Sequence, residues 1–265
     1  MVILAAGAAV TLLSLILMKP YLPIRPNFAG RNIPTSAGLA CLPIILLMLG
    51  ASLAGLLEPG VAGVWYLAYS LLAGCVGFMD DRWGGVGQRG FEGHLGALWR
   101  GRVTSGLVKA VLLGGGAVVF AVVTFGVGLE ALVAAFLLAG CVNLANLFDV
   151  RPGRTLKFLG VPVLVLLFFV PYGVVLAVLG VVGGAITLFY FDLKGRIMLG
   201  DAGAAIWGAV LGYLVVTSGP GVVWWVAGVA ILGLTAVAEV SSISRVIEEV
   251  GALRRLDLWG RGSDE

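Results

Sequence analysis

Four short polar clusters interrupt an otherwise apolar chain, and each carries groups that can hold phosphate or a hard cation. In Gly77-Phe78-Met79-Asp80-Asp81 two adjacent carboxylates stand where a long apolar run stops. Adjacent acids repel, so the pair calls for a metal ion or a basic side chain beside it, the competing reading being a solvated helix end. In Asn143-Leu144-Ala145-Asn146-Leu147-Phe148-Asp149 the polar residues recur every three positions, which on a helix sets them along one side. Amides at membrane depth are expensive and face either a site or a partner helix. Asp201, between Gly200 and Gly203, can approach a metal or phosphate closely or cap a helix. The first cluster, Arg31-Asn32-Ile33-Pro34-Thr35-Ser36-Ala37-Gly38, adds a base and hydroxyls.

Together these residues would form one site. Asp80, Asp81, Asp149 and Asp201 supply carboxylates, Asn143 and Asn146 supply amides, and Arg31, Arg151, Arg154, Lys157 and Arg196 ring them. Carboxylate and amide oxygens suit Mg²⁺, and the surrounding bases suit phosphates. The chemistry this favours is phosphoryl transfer, where a protein mainly positions the reactants and neutralises charge.

The elements that must hold the site are membrane helices. The chain is 60% hydrophobic and 12% charged, against roughly 25% charged for a soluble domain. Runs of about 20 apolar residues recur along it, continuous and not alternating, which indicates helices and excludes a barrel. The runs are Val2–Met18, Thr35–Leu57, Val61–Met79, Ser105–Phe125, Leu129–Phe148, Phe158–Val170, Tyr172–Phe191, Ile197–Thr217 and Val222–Val240. The expected fold is therefore an all-α polytopic bundle of about nine transmembrane helices. Only Pro171-Tyr172-Gly173 divides the sixth run from the seventh.

The connections alternate between short uncharged turns and charged loops. On this layout all 17 Lys and Arg fall at or near one face. That face is cytoplasmic by the positive-inside rule, with the N-terminus outside and the C-terminus inside. Residues 1–240 form a single membrane domain, and 241–265 a cytoplasmic tail with a short amphipathic helix. The single Cys41, Cys75 and Cys141 read as apolar packing residues. Gly180 with Gly184, and Gly208 with Gly212, have the spacing of close helix contacts. The net charge of +3 is polarised across the membrane, and no nucleic-acid motif accompanies it.

The Pro-Thr-x-x-Gly, Gly-Phe-x-Asp-Asp, Asn-x-x-Asn-x-x-Asp and Gly-Asp-x-Gly segments, in this order and on these helix ends, resemble the polyprenyl-phosphate N-acetylhexosamine-1-phosphate transferase superfamily. The resemblance runs from about Arg25 to about Thr217. It implies a cell-membrane enzyme of envelope polymer synthesis. A polyprenyl phosphate attacks the β-phosphate of a UDP-linked amino sugar, giving a lipid diphosphate sugar and UMP, with Mg²⁺ as cofactor and Mn²⁺ as a substitute. By position, Asp80 and Asp81 would hold or activate the lipid phosphate. Asp201 and Asn146 would hold the metal with that pair, and Asp149 would sit by the nucleotide. Thr35, Arg31, Asn143, Arg151, Arg154, Lys157 and the lone His94 would contact substrate. A homodimer is compatible with this class.

The departures from the pattern are local. Pro152 stands where an acid is expected three residues after Asp149, and Arg151 and Arg154 flank it. The basic residue before Pro-Thr is offset to Arg31, and the family's histidine-rich loop near the C-terminus is missing. These losses raise an alternative, a non-catalytic scaffold or regulator that binds lipid phosphate. A transporter would place charges at mid-span or show an internal repeat, and the sequence has neither.

Overall fold

Apolar runs in lipid must satisfy their backbone groups internally, and the chain does this with helices. The structure is a computed structural model that describes residues 1–84 and 104–261. His94 lies outside the described residues. In order come α1 (Val2–Met18), strands β1 (Ile24–Pro26) and β2 (Asn32–Pro34), a 3₁₀ turn over Ala37–Cys41 leading into α2 (Leu42–Leu53), and α3 (Gly60–Trp83). Then follow α4 (Ser105–Phe125), α5 (Leu129–Phe148), α6 (Arg154–Leu166), α7 (Tyr172–Leu193), α8 (Gly200–Thr217) and α9 (Val222–Val240). Two short helices, α10 (Ile243–Glu249) and α11 (Gly251–Leu258), form the tail.

The fold is the expected all-α bundle, and among the described residues seven helices are long and apolar enough to cross a membrane: α1, α3, α4, α5, α7, α8 and α9. The other two apolar runs are shorter. The second is helical only from Ala37 to Leu53, because Ser36, at φ 61°, sets a left-handed step before the 3₁₀ turn. The sixth ends at Leu166, and Pro171 precedes the start of α7. One feature had no signature in the apolar pattern. β1 and β2 pair antiparallel, Ile24 opposite Pro34, with an Asn27 turn whose Oδ1 accepts from the Ala29 and Arg31 amides.

Helix α8 is the centre of the bundle, 89% of its span being buried, whereas α9 is 11% buried and presents Trp225, Val229 and Leu232 outward. Small residues let α8 sit this deep. A Cβ on Gly208 would lie 2.5 Å from the Val142 Cα of α5, and one on Gly212 would lie 2.8 Å from Leu138 Cδ1. Higher up, Tyr213 stacks on Tyr66 at 4.3 Å and meets Phe120 edge-on. Gly180 and Gly184 serve the same purpose in α7. A Cβ on Gly7 would meet the Gly180 carbonyl, and one on Gly184 would meet Thr11.

Gly208→Ala is therefore expected to lower stability by about 1–3 kcal/mol through overpacking. Gly114→Ala, at a position facing open space, should leave it unchanged. Thermal unfolding in detergent measures both.

Candidate active site

The first and fourth clusters are stitched together by backbone. Met198 N–H donates to the Pro34 carbonyl at 2.7 Å, and the Ala37 and Gly38 amides donate back to Met198 and Leu199 at 3.1 Å each. The glycines of three motifs allow this approach. A Cβ on Gly38 would fall on the Gly203 Cα, and one on Gly77 would lie 2.4 Å from the Asp201 carbonyl oxygen. Gly200 takes φ 72° with Ser36 and Asp81 packed against it. No side chain fits there, so the Gly-Asp-x-Gly and Gly-Phe-x-Asp-Asp spacings are steric requirements of the junction.

Asp81 completes that junction. Its two carboxylate oxygens accept from the Asp201 amide at 3.0 Å and the Ala202 amide at 3.2 Å. The carboxylate of α3 therefore caps the N-terminus of α8 from outside the helix, where the orphan amides and the helix dipole favour an anion. Its neighbour Asp80 turns to Lys109 on α4, whose ammonium lies 3.3 Å from Asp80 and 2.5 Å from Asp201. The cation that the adjacent acids demanded is thus a lysine in this structure.

A cleft of about 390 Å³ opens beside the junction. Thr35, Asp81, Asp149, Arg151 and Asp201 line it, with Asn27 and Phe28 of the hairpin turn on another wall. Asp192 also lines it, a residue that sequence reasoning passed over as part of a charged loop. Asp192 is buried and accepts from the Gly153 amide at 2.8 Å and the Leu199 amide at 3.3 Å, so it ties the two loops that frame the cleft. Its place at the end of an apolar run, like Asp81 and Asp149, was the available signal.

Asp149 caps the C-terminal end of α5 and accepts from the Thr155 hydroxyl at 3.1 Å. Burial, followed by the nearby charges of Asp192 and Asp201, pushes its carboxyl well above the ordinary range, against the opposing Thr155 bond. Along α5 the expected single polar side is divided. Asn143 is exposed, while Asn146 is half-buried with a buried Oδ1 that has no hydrogen-bond partner among the described residues. Arg31 is exposed on the hairpin turn, and Arg196 lies 5.8 Å from the Tyr190 ring.

Arg154 and Lys157 are placed differently from the sequence expectation. They face away from the cleft and hold the tail. Arg154 is fully buried, giving both Asp257 oxygens bonds of 2.8 Å and Ser244 one of 2.7 Å. Lys157 donates to the Asp257 carbonyl at 2.7 Å. The tail is accordingly docked, because an unpaired guanidinium could not be buried there.

Among the described residues no group of three or more Asp, Glu, His or Cys has the arrangement of a metal-holding set. The donor chemistry nonetheless fits a hard dication that keeps its waters and shares a substrate phosphate, since Asp81, Asp149 and Asp201 bring carboxylate oxygens to one cleft. No protein-family model matches the chain, and no curated protein matches it either.

Two outcomes follow from this geometry. Asp81→Ala should lower thermal stability by about 0.5–2 kcal/mol, as a lost helix cap does, with Asp81→Asn losing less because one oxygen acceptor remains. The tail should also respond to acid. Burial opposes ionisation of Asp257, but the bonds and charges of Arg154 and Arg261 outweigh it and hold the carboxyl below its ordinary value of 3.8. Docking is thus fully supported above that value and lost as pH falls through the lower folded-state pKa. The mobility of a nitroxide label at position 255 should stay low down to the carboxylate range and rise below it.

Proposed function

We propose that the protein transfers a sugar phosphate from a UDP-sugar, with an N-acetylated amino sugar as the leading candidate, to a polyprenyl phosphate and releases UMP. The observation that carries this reading is the convergence of Thr35, Asp81, Asp149 and Asp201, from four separate sequence clusters, on one cleft at the charged end of the bundle. In the transfer an oxygen of the lipid phosphate bonds to the sugar-bearing phosphorus, the bond from that phosphorus to the UMP oxygen breaks, and UMP leaves with the electron pair. The positive-inside pattern supports a multi-pass cell-membrane protein of nine passes with the cleft on the cytoplasmic side.

Each residue has a part in this. Asp81 fixes the start of α8 and so the position of Asp201. Lys109 offers its ammonium to a phosphate once that phosphate or a cation relieves Asp80 and Asp201. Asp149, held by the Thr155 hydroxyl, lines the cleft beside the transferring phosphate. Mg²⁺ is the cofactor we infer: Asp201, Asp81 and Asn146 would hold it, and it would neutralise charge on the transferring phosphate.

One observation favours the second reading, a lipid-phosphate-binding scaffold of the same fold. Lys109 already neutralises Asp80 and Asp201, as a site with no metal would require.

UMP release from a panel of UDP-sugars, with polyprenyl phosphate in membranes, separates the two. Transfer should require Mg²⁺, and Asp201→Asn should lower it by ~10²-fold or more. Absence of turnover across the panel by folded protein would sink the enzymatic reading. Lipid-phosphate binding indifferent to Mg²⁺ and to Asp201→Asn would favour the scaffold.

A further inference from the structure

The tail does more than follow the last span. Arg154 grips Asp257 and Ser244, Arg261 pairs with Asp257 at 2.6 Å, and Lys194 donates to the Gly260 carbonyl at 3.0 Å. These contacts fix α10 and α11 at both ends. Between them and the hairpin turn lies a second cavity of about 460 Å³, a size that takes a small-molecule ligand. Its wall carries Arg151, Arg254 and Arg261, with Phe28, Glu248 and Asp257 among them. The Asp257 carboxylate is already balanced by Arg154 and Arg261. Among the described residues Glu248 pairs with Arg151 alone, at 3.5 Å and largely exposed. Arg254 is exposed and makes no ion pair among the described residues.

Phe28 and Arg151 line both cavities, and the guanidinium of Arg151 lies 4.6 Å from the Phe28 ring centroid. The acidic cleft and the arginine cavity therefore share a wall. Next to Phe28, the buried Asn27 leaves its Nδ2 without a partner among the described residues. Planar guanidinium groups match phosphate oxygens two at a time.

We propose that this tail-built cavity is a subsite for the nucleoside-phosphate end of a soluble nucleotide diphosphate, with Arg151 at the boundary to the acidic cleft, where the sugar-bearing phosphate lies, and Arg254 on the far wall. This rests on the transferase reading and names the part of the chain that would receive its nucleotide substrate. Glu248 is the internal competitor that the nucleotide phosphate displaces from Arg151.

The test is UDP binding to the full chain in nanodiscs of zwitterionic lipid, followed by calorimetry. Arg151→Gln and Arg254→Gln should each weaken binding about tenfold, as loss of a charge-assisted contact does. Arg255→Gln, one residue along α11 and off the cavity wall, should leave it unchanged, and Glu248→Gln should tighten it. Failure of the wild-type chain to bind UDP overturns the subsite. So does equal weakening by Arg255→Gln, or a Glu248→Gln variant that binds less. Loss that tracks anionic lipid added to the discs, and not UDP, would assign the arginines to headgroups and also overturn it. UDP binding that needs Arg151 and Arg254 without turnover of any sugar nucleotide would leave the subsite standing and remove the transferase reading. Turnover with an unchanged KM in Arg254→Gln would do the reverse.

Discussion

The bundle depends on one contact, the carboxylate of Asp81 on the first amides of α8. A central helix whose start is packed between other segments cannot give its orphan N–H groups to bulk water, so a partner must be supplied. α3 supplies it. Because the acceptor belongs to another helix, the bond also fixes the spacing between α3 and α8, and with it the distance between Asp80 and Asp201 that Lys109 spans. The glycines at 38, 77 and 203 are the steric condition for that bond, since any side chain there would separate the segments before the carboxylate could reach.

Most of the architecture was legible because burial in lipid leaves a one-dimensional record. Continuous apolar runs mark helices, and α4, α5 and α9 begin and end where the runs do. The position of the site was legible for the same reason, as Asp81, Asp149 and Asp201 interrupt those runs at one end. What each acid does was not. Asp201 reads as a ligand or as the cap of its own helix, and Asp81 as a ligand or a helix end, yet the cap on α8 comes from Asp81, a pairing 120 residues apart that no local pattern encodes. Arg154 and Lys157 read as substrate contacts beside the Pro152 turn, and only the folded tail reveals Asp257 as their partner. The β1–β2 hairpin was hidden because three-residue strands leave too few positions for an alternation to show.

Charge is segregated across the site. Carboxylates from α3, α5, α7 and α8 face the cleft, whereas the arginines gather where the tail returns, with Arg151 between the two groups. A dianionic ligand alone in the acidic cleft would be repelled, and a cation alone in the arginine cavity likewise. The arrangement favours a ligand pair that brings both signs.

The shortness of α6 reaches beyond the protein. Thirteen residues span about 20 Å, while a bilayer core is about 30 Å thick. Phe168 and Phe169, just past its end, are 86% and 75% exposed. In the nine-pass arrangement we propose, lipids along this flank compress, splay or tilt to cover the step. That arrangement gives the bundle a thin side, and acyl chain length becomes a variable that its immediate surroundings feel before the protein itself does.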